Sequence, residues 1–413
     1  MKILWFSVTP SLFTSIDNGH NGGGWIASLE ELVRTVNDVE LGISFECPSD
    51  DFKVQNSGVT YYPLDTRISF LKRVVRFFKP LKHEETFLIP KCLKVIEDFK
   101  PDVIHIFGSE NYFGLLSRLS PPIPVIIHMQ GCLLSCYNAF YPISVNFKDI
   151  LLSKNYSFLQ KIMEYRNTRI FKQKALREIK ILKSTRNFFG RTHWDRSIIR
   201  VYNPSARYFY CSEVLRGVFY KENVWRYPNT KKVMFVSTIS KPLYKGMDVI
   251  LKTAYVLKYE CKLDFVWKVM GVADCKFMES HYGINATDVN IDLFGCVSQD
   301  VVLEQLMNAH FYVHPSYIDN SPNSICEAQM VGTPVIACNV GGVSSLVNDG
   351  KTGYLVPAND PVKLADVIIS KSNDSWSLVQ ISRNEIETAR NRHSKDQILK
   401  DLLSAYRELS GNR

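Results

Sequence analysis

At 413 residues, with 46% hydrophobic and 22% charged side chains, the chain exceeds one ordinary core and is expected to form two globular domains of roughly 200 residues each. That composition excludes a disordered or fibrous protein, and no apolar run approaches the roughly 20 residues that cross a bilayer. The formal charge of +9 gathers in two places: six Lys or Arg and no acid in residues 67–82, and eleven basic against three acidic residues from Lys148 to Arg186.

The basic residues of 67–82 and 148–186 are interleaved with Phe, Leu and Val. That mixture suits attachment to an anionic membrane surface, and equally a solvated helix face. No nucleic-acid recognition motif accompanies it, so no nucleic-acid partner is expected. The ten cysteines are scattered, and Cys132-x3-Cys136 has no second pair at zinc-like distance. "HEETF" at 83–87 carries Phe87 where a metalloprotease motif needs a second His. Free buried thiols in a reducing compartment are the expectation, with no metal. The opening "MKILWFSV" reads as a buried strand rather than a leader, which places the protein in the cytoplasm, at the inner membrane face if the basic stretches act there.

Strand-like and helix-like segments then alternate, the pattern of parallel sheets with crossover helices. "KILWFSV" leads through the Gly-rich loop "GHNGGG" into the helix "WIASLEELVRTV", and "LGISFEC", "GVTYYPL", "DVIHIFG" and "PVIIHMQG" follow as strands. After an irregular stretch near 202–229 the alternation restarts with "KKVMFVST", "DFVWKVMG", "NIDLFG", "HFYVHPS" and "TPVIAC". Two doubly wound domains are expected, with a ligand at the carboxyl ends of the strands in the cleft between them.

The densest chemistry lies in "SYIDNSPNSICEAQMVGTPVIACNVGG", residues 316–342. Ser321 and Pro322 predict a capped helix start whose N–H groups at residues 323–325 face outward, a seat for a diphosphate. Asp319 before that seat and Glu327 after it can each accept from paired hydroxyls, which together match a nucleotide sugar. A first-turn acid and a turn-forming acid of no further role fit the spacing equally well.

This stretch resembles the Glu-x7-Glu motif of retaining glycosyltransferases of family 4, and 311–368 follows that family's "EAMA-GTPVVA…GG" segment closely. The resemblance implies an α/β fold of the GT-B type, two doubly wound Rossmann-like domains facing a central cleft. The implied domains are 1–205 and 206–392, with the helix of 393–413 returning to the first. By the same resemblance Glu327 binds ribose, Asp319 binds the transferred sugar, and Asn320, Ser321, Asn323, Ser324 and Ile325 hold sugar and phosphate. Asp319 stands where the family has Glu, one methylene longer.

In "VSTISKPLYKGMDVIL" Lys245 ends a loop aimed at the phosphates, where a cation stabilises a leaving diphosphate without a metal. The family's accompanying Arg is absent, and Lys241 is the cation nearest its place. Cys296 and Val297, in the loop of "LFGCVS", correspond to the base site. Gly23 and Gly24 resemble a loop at which backbone meets donor phosphate. Gln130 takes the place of a family His beside the reacting sugar, with His128 on the same strand face. Arg191 in "GRTHWDR" is a phosphate or interdomain candidate, and Ser109, Glu110 and Asn111 are acceptor-side candidates.

The resemblance implies transfer of a sugar, with retention, from a nucleoside-diphosphate sugar to a hydroxyl of a glycan or lipid-linked acceptor in bacterial surface polysaccharide synthesis. It implies no cofactor and no metal. Two other readings stay open: a GT-B nucleotide-sugar 2-epimerase, whose extra catalytic acids cannot be placed, and a non-catalytic transferase-like scaffold.

Overall fold

The computed structural model describes residues 1–13, 24–49, 51–67, 69–119, 122–221, 224–240 and 243–411. Gly23 and Lys241 lie outside the described residues. Met1–Leu134, Thr168–Val214 and His393–Arg413 form one compact unit, and Ser135–Asn167 with Leu215–Arg392 form the other.

The first unit is built on β1 (Lys2–Phe6), β2 (Glu40–Glu46), β3 (Val54–Asn56), β4 (Val59–Leu64), β5 (Val103–Phe107), β6 (Val125–His128), β7 (Asn187–Gly190) and β8 (Arg207–Tyr210). They lie side by side as β3-β4-β2-β1-β5-β6-β7-β8, parallel except for the β3–β4 pair. The apolar runs of β1 and β5, broken in β5 only by His105, are buried almost throughout, as a parallel sheet covered on both faces requires. Strand order reverses between β1 and β5, so the loops after these two strands open at a switch point.

The second unit contains β9 (Val233–Thr238), β10 (Phe265–Met270), β11 (Ile291–Gly295), β12 (Phe311–His314), β13 (Val335–Cys338) and β14 (Tyr354–Val356). Their order, β11-β10-β9-β12-β13-β14, is that of doubly wound nucleotide-binding sheets, and the reversal falls between β9 and β12. Phe235, Trp267 and Phe311, on the adjacent strands β9, β10 and β12, anchor its core.

Every strand expected from the sequence is present, and four short ones, β3, β7, β8 and β14, are additions. Two expected boundaries move. The first unit extends to Val214 because β8 pairs in parallel with β7, carrying the sheet past residue 205. Residues 135–167 belong to the second unit, because Val145 and Ile150 are buried in its core and Tyr156 packs on Phe277 with ring centroids 5.3 Å apart. Asn155 Nδ2 donates to the Lys276 carbonyl, and the Ser144 and Tyr282 hydroxyls share a 2.6 Å hydrogen bond.

The closing helix Lys395–Ser410 belongs to the first unit and buries Ile398, Leu402 and Tyr406. Tyr406 is the residue that fixes it. The Trp5 indole N–H can only donate, and does so to the Tyr406 hydroxyl at 3.0 Å. That hydroxyl therefore sends its own proton to Nδ1 of His105, 2.6 Å away. Burial holds His105 well below the usual imidazole range, so the ring is neutral and its nitrogen free to accept. Tyr406→Phe keeps the ring and strands the Trp5 donor, an expected cost of about 2 kcal/mol. Denaturant melts of the full chain should resolve that loss, and an unchanged midpoint would remove Tyr406 from this role.

Candidate active site

In the second unit the loops after β9 and β12 meet at the switch point. Gly246 takes φ +84°, and a side chain there would press to 2.2 Å from the Pro315 carbonyl oxygen. Glycine thus lets the β9 loop close on the end of β12, and this delivers Lys245 to Asp319, Nζ to Oδ2 2.6 Å. His314, the last residue of β12, places Nε2 3.1 Å from the same oxygen. The Asn320 N–H donates to the other oxygen at 3.1 Å. From behind, Gly341 (φ +53°) approaches so closely that a Cβ would stand 1.9 Å from the Asp319 carbonyl oxygen, and the Gly342 N–H donates to that oxygen at 3.0 Å. The "GG" after β13 therefore serves the backbone of the acid.

The helix expected at Ser321–Pro322 runs Asn323–Val331, with Pro322 itself, not Ser321, in the capping position, one residue later than expected. The Ile325 N–H donates back to the Pro322 carbonyl at 3.0 Å, leaving the N–H groups of Asn323 and Ser324 as the open ones at this end. Arg392 brings Nη2 to 3.5 Å from the Ser321 hydroxyl. The Ser324 hydroxyl bonds the buried Tyr312 phenol, whose oxygen lies 2.8 Å from Thr238 at the end of β9.

Glu327, one turn further on, is buried and held by a residue the sequence reading did not single out. Arg216 donates from Nε to Oε1 and from Nη2 to Oε2, both at 2.8 Å. Burial works to raise both acids of the site, with different outcomes. At Asp319 the Lys245 ammonium and His314 ring outweigh burial and hold the carboxyl well below the usual range. At Glu327 burial wins, and the carboxyl stays raised even beside Arg216. On the β10 and β11 side, the Gly271 N–H donates to the Gly295 carbonyl, Cys296 is exposed, and Val297 packs against the core.

The first unit gathers the other candidates around the ends of β5, β6 and β7. Gly24 begins the helix Gly24–Val33 at φ +55°. Its neighbour Trp25 faces the Arg191 guanidinium, 5.3 Å from ring centroid to Cζ. Arg191 is only 3% exposed; it lies 3.6 Å from Glu213 and donates to the Gln130 carbonyl at 3.4 Å. Asn111 caps a short helix by accepting from the Phe113 N–H. The Ser109 hydroxyl and the Leu133 N–H each donate to Glu178 at 2.7 Å. Burial, and then the neighbouring Glu110, push Glu178 up to about 8, and burial raises Glu110 as well.

This architecture is the GT-B fold. Residues 230–374 match the family model described as Glycosyl transferases group 1. A D-inositol 3-phosphate glycosyltransferase of Paenarthrobacter aurescens is 28% identical over 41% of this chain and 40% of its own length, so the match spans less than half of that relative. Among solved structures, a sucrose-phosphate synthase from Thermosynechococcus elongatus superposes with TM-score 0.74 at 16% identity, covering 100% of both chains. Anabaena HepE in complex with UDP-glucose gives 0.62 at 13% identity, over 98% of this chain and 100% of that one.

The Lys245–Asp319 pair is buried enough that removing one partner leaves a stranded charge. Lys245→Ala is expected to destabilise the protein by about 3 kcal/mol. Removing Asp319 as well, in the double alanine variant, should return stability towards wild type. Thermal melts decide the matter: a double variant no more stable than Lys245→Ala refutes the pairing.

Proposed function

We propose that the protein is a retaining, metal-independent glycosyltransferase that moves a sugar from a nucleoside-diphosphate sugar to a hydroxyl of a glycan or lipid-linked acceptor. The observation that carries this reading is the helix start at Asn323, with two open N–H groups at the β9–β12 switch point and an acid on either side of it. The N–H groups and the helix dipole suit a diphosphate, Glu327 suits the ribose hydroxyls, and Asp319 suits those of the sugar. Lys245 stands beside the charge that grows on a departing diphosphate. The diphosphate itself takes the acceptor proton during front-face attack, so positioning and charge stabilisation account for the protein's part. Gln130 is the group beside the reacting sugar in this reading and Ser109, Glu110 and Asn111 are its acceptor-side groups, and surface polysaccharide assembly is the setting that a lipid-linked acceptor suits.

Titration calorimetry against UDP, GDP and ADP and their sugars tests the donor half. One series is expected to bind, and Glu327→Ala to weaken it by at least about tenfold, the loss of one or two hydrogen bonds to a charged group. If no series binds, or Glu327→Ala binds equally well, the transferase reading fails. Anomeric configuration of the product, read by NMR, tests retention.

The same reading places a lipid-linked acceptor at a membrane surface. Among the described residues no helix is long and apolar enough to cross a membrane. Residues 143–162 nonetheless expose Ile143, Leu152, Phe158 and Leu159, each more than 70% accessible, beside the exposed Lys148 and Lys154. The helix Phe70–Phe78 exposes Phe77 and Phe78 in the other basic stretch. Apolar side chains flanked by lysines fit the headgroup layer of an anionic bilayer. The chain is expected to sediment with vesicles containing phosphatidylglycerol and not with pure phosphatidylcholine, and Leu152→Glu with Phe158→Glu to reduce that binding severalfold. Equal sedimentation with both vesicle types, or none with either, sinks the membrane assignment.

A further inference from the structure

Besides Lys245, two arginines border the helix start of the second unit: Arg392, with Nη2 3.5 Å from the Ser321 hydroxyl, and Arg216, on Glu327. The loop between β9 and the next helix contains Lys241, outside the described residues, and Lys245, which is engaged with Asp319. Two carboxylates flank this anion seat, and Glu327 is held by Arg216.

We infer that Arg216 is a donor-phosphate ligand, held by Glu327 and passed to the diphosphate when ribose hydroxyls take that carboxylate. This rests on the donor reading above and adds to it a binding residue and an order of events. Three observations carry it. The pair is bidentate, with both carboxylate oxygens accepting from the guanidinium at 2.8 Å, so hydroxyls that take Glu327 must displace at least one of those donors. The Arg216 side chain is 17% exposed against 6% for Glu327, so it borders open space while its partner is enclosed. Its guanidinium lies 5.0 Å from the Phe219 ring centroid, a face along which a planar cation can pivot without losing its support.

The chemistry of the ligand supplies the direction of movement. In a nucleoside diphosphate the α-phosphate is joined to the ribose through C5′, so whatever is displaced by ribose hydroxyls is displaced beside a phosphate. A guanidinium losing a carboxylate there finds phosphate oxygens, for which its fork of donors is equally suited. No covalent step is involved, and charge is conserved within the site: Arg216 moves from one anion to another. Binding of ribose alone therefore breaks an ion pair without recompense, whereas a nucleoside diphosphate replaces what it breaks.

The test compares matched nucleoside, monophosphate and diphosphate of uridine, guanosine and adenosine on the full chain by titration calorimetry. In wild type the diphosphate of the bound series is expected to bind at least about a hundredfold more tightly than its nucleoside, the worth of two charge-assisted contacts. Arg216→Gln should shrink that ratio about tenfold or more while leaving the nucleoside as tightly bound or tighter, since Glu327 is then unmasked. Arg216→Lys should recover part of the ratio, as a point charge in place of a fork. Glu327→Gln, which frees Arg216, should weaken the nucleoside and widen the ratio, and it guards against misfolding of the Arg216 variants. If Arg216→Gln weakens nucleoside and diphosphate by the same factor, Arg216 only orients Glu327 and the inference is wrong. It is wrong too if the ratio does not change. If wild type binds no nucleoside diphosphate, the donor reading falls first and this falls with it.

Discussion

The second unit depends on one contact, the 2.6 Å ion pair between Lys245 and Asp319. It joins the loops after β9 and β12, the two strands between which the sheet reverses direction. Much of the local sequence exists to allow it. Gly246 lets the first loop touch the Pro315 carbonyl, Gly341 and Gly342 cradle the Asp319 carbonyl, and His314 completes the shell of the carboxylate. A buried carboxylate with so many partners is held in one geometry. Asp319 is short, but Lys245, His314 and the Asn320 N–H engage both of its oxygens. A short side chain held from three directions is a defined contact, not a slack one.

How much of this was legible follows from where the information lies. Strands such as "KILWF" and "VMFVST" announce themselves because a parallel sheet buries both faces, leaving unbroken apolar runs. The run from Asp319 to Glu327 was legible because helix-start chemistry and acid spacing are local. Arg216 was not, since its partner is 111 residues away and "LRGVF" carries no spacing signal of its own. Residues 135–167 were misassigned for the same reason: nothing in their composition says that Val145 and Ile150 fill a core built from later residues. The short strands β7 and β8 were missed because four residues are too few to show a period, and β8 lies half in view at the edge of its sheet. His314 had a visible signal, a histidine directly before "PS" and five residues from Asp319, whose meaning appears only when the loop turns back.

Each unit carries acids in surroundings that penalise charge, and the chain resolves the conflict in two different ways. Asp319 and Glu327 are given cations, Lys245 and Arg216. Burial and then Glu110 raise Glu178, and hydrogen-bond donors from Ser109 and Leu133 do not offset burial there. Pushed up to about 8, the Glu178 carboxyl holds its proton to a higher pH than an ordinary glutamate does. A carboxylate paired with a cation can exchange the cation for sugar hydroxyls, since both are donors to the same oxygens. A protonated carboxyl has a donor of its own to offer and suits an oxygen that must be held as an acceptor. The acids around the helix start keep cations beside them, whereas burial and Glu110 raise Glu178. Both follow from how each carboxyl's charge is dealt with on burial.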